Sequence, residues 1–290
     1  MPQLLLAALC SVLVSLLLKW SVRRGASAMA LISWNYVAAV LLTGFLLKPD
    51  FTNLLAHRQT SWLALVALGV LLPGIFLALS KSLQRAGLIK TEVAQRMSLL
   101  LSLLAAYWLF HESFTRLKIV GIGLGLVAVL GLIFSTAGKT KNTAQFARHS
   151  GILLLVWVGY AAVDVLLKYI STLGYSTSTA LFASFSIALT GLVVWQAVQG
   201  TFKQLFWLKH IGLGLSLGVL NFCNIWFYIK AHQQLASNPA IVFASMNILV
   251  VLLGVIAGLV IFKEKLKKSG WVFVASSIVA IVVLYYARLA

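Results

Sequence analysis

Phe110-His111-Glu112-Ser113-Phe114, followed by a basic turn and an apolar run from Ile119 to Phe134, decides how this chain is read. It returns as Phe262-Lys263-Glu264-Lys265-Leu266, again ahead of a basic turn and an apolar run, Trp271 to Tyr286. In each copy an apolar helix ends on Phe-x-Glu and another begins a few residues later. The two glutamates lie 152 residues apart (264 − 112), about half of the 290-residue chain. An apolar chain that repeats itself at half its length points to an internally duplicated bundle of membrane helices.

Composition supports that reading. Apolar residues make up 61% and charged residues 10% of the chain, and the mean hydropathy is +1.01. A soluble domain has about 45–50% apolar and about 25% charged residues. The net charge of +18 would suggest nucleic acid in a soluble protein, but here Lys and Arg sit mostly between apolar runs. There they meet anionic headgroups and set topology, and no basic domain is left to hold a duplex. Cys10 and Cys223 both lie inside apolar runs and read as buried thiols. No cofactor is expected.

A span needs about 20 mostly apolar residues. On that rule ten are expected, at 2–22, 29–47, 61–83, 91–110, 116–137, 150–170, 175–198, 211–232, 239–262 and 269–287. The first reads as a spanning helix rather than a cleaved signal, since it lacks a basic n-region. The break at 139–149 separates a first five-helix repeat (1–138) from a second (150–290). Leu16-Leu17-Leu18-Lys19-Trp20 echoes Val165-Leu166-Leu167-Lys168-Tyr169, and Ala86-Gly87 before span four echoes Ala236-Ser237-Asn238-Pro239 before span nine. Five spans per repeat place the second copy upside down. The fold class is an all-α polytopic membrane protein of ten transmembrane helices in two inverted five-helix repeats, an arrangement that puts a substrate site near the midplane.

His111-Glu112 with Gly121 nine residues on, Lys263-Glu264 between spans nine and ten, and the Lys19-Trp20 ending of span one carry a resemblance. The whole chain resembles the EamA family of the drug/metabolite transporter superfamily, whose members have ten spans in two repeats and a Gly-Glu-like element between the fourth and fifth of each. It departs from that pattern where Phe273 replaces a glycine and where Asn35, within Trp34-Asn35-Tyr36, stands in place of an arginine common in span two. The resemblance implies transport, not catalysis.

Charges inside a span cost about 2.5–3.5 kcal/mol each, so every one needs a reason. The chain has five acids: Asp50, Glu92, Glu112, Asp164 and Glu264. Asp164 sits deep in span six, and helical spacing aligns it with Trp157, Tyr160 and Lys168 on one stripe. Either the Asp164–Lys168 pair neutralises itself in the bundle, or the stripe lines a cavity with Asp164 as a proton or cation site. Glu92 and Arg96 are spaced to pair at the start of span four, as a surface salt bridge or as a gate. Lys19 matches Lys168 by the repeat and reads equally as an interfacial lysine or a binding one. Asn221 and Asn224 on span eight offer amides to a polar substrate or to neighbouring helices, as does Asn35. The expected substrate site is thus Asp164, Lys168, Tyr160, Trp157, Trp34, Asn35, Asn221, Asn224, Lys19 and Arg96, with Asp164 or Glu92 for a coupling ion. Glycines 121/125, 214/218 and 254/258 form Gly-xxx-Gly pairs for close helix packing, and span five offers a dimer contact, so monomer and homodimer both stand.

Nothing converges on catalysis. The histidines lie near span ends, and no metal-ligand cluster, P-loop or nucleophile elbow occurs. The expectation is a carrier in the bacterial cytoplasmic (inner) membrane that moves a small polar or zwitterionic, amino-acid-like metabolite by alternating access. The alternatives are an efflux carrier for lipophilic cations, and a membrane scaffold or lipid-handling protein without a solute site. Both termini share a side. Seven Lys and Arg lie on the side of the termini and sixteen on the other, which favours termini outside; the resemblance implies termini inside.

Overall fold

A computed structural model describes residues 2–50, 60–110, 115–134, 143–234 and 239–289. The first motif copy, from His111 through Glu112 to Phe114, lies outside the described residues, as do Lys139 and Lys141. The regular elements among the described residues are all helical, without a strand. In order they form α1 (Pro2–Arg23), α2 (Ala28–Leu42), α3 (Thr60–Arg85), α4 (Leu88–Arg96), α5 (Ser98–Phe110) and α6 (Arg116–Phe134). These are followed by α7 (Thr143–Thr172), α8 (Thr177–Val198), α9 (Leu208–Gln234), α10 (Pro239–Val260) and α11 (Lys268–Leu289). A π turn, Thr43–Leu47, extends α2, and a 3₁₀ turn, Phe202–Phe206, precedes α9.

Among the described residues, seven helices are long and apolar enough to cross a bilayer: Pro2–Arg23, Ala28–Leu47, Trp62–Arg85, His149–Thr172, Thr177–Val198, Leu208–Gln234 and Lys268–Tyr286. The expected spans 116–137 and 239–262 supply shorter apolar stretches, Ile119–Ala128 and Ser245–Val260. The expected span 91–110 is not one helix. It breaks at Met97 into α4 and α5, although no glycine or proline marks the spot. The chain is therefore an all-α polytopic membrane protein.

Two compact units form, each drawing segments from both halves of the sequence. The first holds Met1–Val12, Lys81–Ala161 and Asn224–Ala290. The second holds Leu13–Ser80 and Ala162–Cys223.

In the first unit, glycines let helices approach. A Cβ on Gly121 would stand 2.9 Å from the Leu284 side chain of α11, and one on Gly125 would stand 2.7 Å from Leu100 of α5. Gly254 and Gly258 of α10 make room for Glu92 and Ile89 of α4, where a Cβ would come within 2.9 and 2.5 Å. Gly121 and Gly125 thus pack against α11 and α5 of their own chain.

The second Phe-x-Glu copy has a structural task here. Glu264 accepts hydrogen bonds from the amides of Leu88 at 2.6 Å and Ile89 at 3.1 Å, the first residues of α4. Those amides have no partner within the helix, and a carboxylate also suits the positive end of its dipole. Gly87, at φ +96°, opens the way: a Cβ there would lie 2.9 Å from the Glu264 carboxylate. The Glu264 amide donates to Gly258 O at 2.9 Å, and Lys263 turns the chain at φ +50°.

In the second unit, α2 packs on α8 and α9. Gly214 and Gly218 of α9 close onto α2: a Cβ on Gly218 would stand 2.6 Å from both Ala38 Cβ and Asn35 O. Polar side chains tie the same helices together. Gln196 donates to Ser33 Oγ at 2.7 Å, and Trp34 Nε1 donates to Leu205 O at 2.8 Å. Buried His210 accepts from the Ser27 amide through Nε2 at 3.1 Å and bonds Gln204 O through Nδ1 at 2.6 Å. With Nε2 an acceptor, Nδ1 carries the proton in the tautomer this network selects.

Candidate functional site

A charged side chain with no solvent contact inside a membrane bundle is the strongest physical signal of a functional group. Among the described residues, the buried charged side chains are Lys19, at 0% exposure, and Glu92, at 1%. Asp164, the residue on which the sequence reading centres, is exposed, and Lys168 is half-buried.

Glu92 belongs to the first unit. Helix α4 reaches it one turn after the Glu264 cap, and the missing side chain of Gly254 gives its methylenes a berth against α10. One turn further on, half-buried Arg96 donates from Nη2 to Ser11 Oγ of α1 at 2.5 Å. A surface salt bridge at the start of span four does not describe this arrangement, because Glu92 is fully inside. Immediately after Arg96 the helix tightens into a single turn at Met97 before α5 begins at Ser98. Met97 keeps its amide bond to Val93 O at 2.9 Å, while its own carbonyl takes the Leu100 amide at 3.0 Å, the tighter spacing of a 3₁₀ turn.

Trp157 completes the break. Its indole Nε1 donates to Met97 O at 2.8 Å in a buried hydrogen bond, and its ring joins the core formed by Val93, Met97, Leu100, Val251 and Ile281. The Trp157 N–H is thus committed to backbone rather than available to a substrate. In hydrocarbon, irregular backbone persists only where such partners re-satisfy it. Trp157→Phe keeps the ring and removes that bond, at a cost of about 1–2 kcal/mol. The expected result is a thermal midpoint in detergent lower by about 3–6 °C, against no change for Trp195→Phe, whose ring is exposed.

Tyr160 is half-buried on α7 in the first unit, and half-buried Asn224 falls in the same unit on α9. The expected stripe of Trp157, Tyr160, Asp164 and Lys168 runs along one helix, but its first two members belong to the first unit and its last two to the second.

The second unit holds Lys19, Trp34, Asn35, Asn221, Asp164 and Lys168. Lys19 is fully buried, which removes the reading of a side chain snorkelling to the interface. Asn35, also fully buried, accepts from Asn221 Nδ2 at 3.3 Å, so these two expected site residues do meet. Its own Nδ2 is buried without a hydrogen-bond acceptor. Trp34 is tied by its indole to Leu205 O. Ser11, Met97 and His210 were not among the expected site residues.

Residues 2–134 match the model of the EamA-like transporter family. The chain is also similar to an uncharacterized protein of Haemophilus influenzae, 40% identical over 294 residues, covering 99% of this chain and 98% of that protein. The chain belongs to the EamA-like transporter family. This family falls in the drug/metabolite transporter superfamily, and its members are transporters rather than enzymes. The segment that matches the EamA model contains Lys19, Trp34, Asn35, Glu92 and Arg96, and with them the break at Met97.

Proposed function

We propose that this EamA protein is a secondary transporter that moves a small polar or zwitterionic, amino-acid-like metabolite by alternating access, with a proton as coupling ion. Ten spans in two inverted repeats would supply the two arrangements, in the cytoplasmic membrane of a bacterium. The observation that carries this reading is the interruption of span four at Met97, flanked by buried Glu92 and by Arg96 reaching Ser11. Transporters of inverted-repeat design use discontinuous helices to bring half-helix ends and charged groups to the substrate near the midplane. A zwitterion needs one cation and one anion. Arg96 offers a forked donor for a carboxylate, and Glu92 a carboxylate for an amine or a proton. In the second unit, Lys19 and the Asn35–Asn221 pair add polar groups that hydrocarbon would not otherwise tolerate. Asp164 and Lys168 remain candidates on α7.

Thermal unfolding of the purified chain against amino acids, phosphate esters, nucleotide sugars and lipophilic cations tests the substrate class. Selective stabilisation by amino acids, followed by their uptake into proteoliposomes, is expected. Stabilisation by lipophilic cations alone would replace this reading with an efflux carrier. No response to any class would favour a scaffold without a solute site.

A further inference from the structure

The Glu264 cap does more than start a helix, because it draws two basic segments together at one end of the first unit. Arg85 and Lys90 flank the capped turn on one segment, and Lys263, Lys265, Lys267 and Lys268 surround the glutamate on the other. Both Glu264 oxygens are already engaged by the Leu88 and Ile89 amides. Six basic residues thus lie in the two segments that the Glu264 cap joins. Lys90 lies just before the span at 91–110. Burial, and then the like charge of Lys267, lower its pKa, while Glu264 pulls in the opposite direction. Lys90 and Lys267 thus repel one another across the turn. Lys265, Lys267 and Lys268 are exposed, a basic surface suited to an anion.

The flanking surface says which kind. Ile261, Trp271 and Val272, next to these lysines in sequence, are exposed apolar side chains. A tryptophan beside a run of lysines at the end of an apolar helix is the pattern of the headgroup level of a bilayer. An occupant that presents phosphate to the lysines and hydrocarbon to the apolar side chains matches both halves of the surface. A free phosphate would match only one. We propose that the turn formed by residues 85–90 and 261–268 is a binding site for the headgroup of an anionic phospholipid, with Lys265, Lys267 and Lys268 as its principal contacts. This site is distinct from the transport groups at Glu92 and Arg96 and does not depend on the transported compound.

The test uses the purified full chain, with thermal unfolding and retained lipid measured against dioleoylphosphatidylglycerol, dioleoylphosphatidylcholine and glycerol phosphate. Phosphatidylglycerol is expected to bind about tenfold more tightly than phosphatidylcholine and to raise the unfolding midpoint, with glycerol phosphate without effect. The combined variant K265Q/K267Q/K268Q is expected to lose that preference, and K203Q/K209Q, which alters exposed lysines of the second unit, to keep it. Equal response to the two lipids, or an unchanged preference in the triple variant, would overturn the proposal. So would stabilisation by glycerol phosphate alone, which would point to a soluble phosphate ligand. Should the triple variant fail to fold, salt decides on the wild-type chain. The preference should fade between about 50 and 500 mM salt, and a salt-independent preference would overturn the site.

Discussion

Glu92→Gln is expected to abolish uptake driven by a pH gradient in proteoliposomes while leaving counterflow exchange at equal pH close to wild type. The substitution is nearly isosteric, so the packing of the side chain against Gly254, where a Cβ would stand 2.9 Å from Glu92 Cγ, survives. The Glu264 cap on α4 is untouched. What disappears is the ability of one buried group to alternate between a charged and a neutral state, and that alternation is what couples a proton to a conformational cycle. A buried carboxylate in a low-dielectric bundle must be compensated by a cation, a proton or the substrate itself. Removing its charge uncouples the gradient without blocking the path. Asp164→Asn, by contrast, is expected to keep coupling, because Asp164 is exposed. If Asp164→Asn loses coupling and Glu92→Gln keeps it, the roles are reversed. If neither variant alters pH-driven uptake, proton coupling through either acid is wrong.

The sequence announced its helices because hydrocarbon imposes length and apolarity on anything that crosses it, and those properties are local. The Gly-xxx-Gly pairs were legible for the same reason: spacing alone puts both glycines on one face, and the structure uses 214/218, 254/258 and 121/125 for close approach. The relations across long separations were not legible. Nothing near Glu264 says that its carboxylate reaches Leu88 and Ile89, 176 and 175 residues away. Nothing in Gln95-Arg96-Met97-Ser98 marks the tight turn at Met97, and nothing there says that a tryptophan 60 residues further along adds a second donor to its carbonyl. The emphasis on Asp164 had a similar origin. Helical spacing shows which residues share a face but not what that face meets, and Asp164 is exposed. Glu92, near the start of its run, looked superficial when it is buried.

Gly218→Ala is expected to destabilise the protein far more than Gly212→Ala, although the two glycines lie less than two turns apart on α9. In an isolated helix both changes would help by about 1 kcal/mol, since alanine is the better helix former. The surroundings separate them. A Cβ on Gly212 meets nothing within 4 Å, so that variant should be neutral or slightly stabilised. A Cβ on Gly218 arrives 2.6 Å from Ala38 Cβ and 2.6 Å from the backbone oxygen of Asn35. Backbone cannot rotate away as a flexible side chain can, so α2 and α9 must separate. Overpacking of this kind costs about 1–3 kcal/mol, and the same displacement stretches the Asn221–Asn35 hydrogen bond, already 3.3 Å long. Thermal unfolding in detergent should show Gly218→Ala lower than wild type by about 5–10 °C. Gly218→Leu should fail to accumulate as folded protein, because its added volume has nowhere to go but between the two backbones. Equal midpoints for Gly212→Ala and Gly218→Ala would mean that α2 and α9 do not meet at Gly218. The Asn35–Asn221 pair, and with it the polar lining proposed for the second unit, would then have to be abandoned.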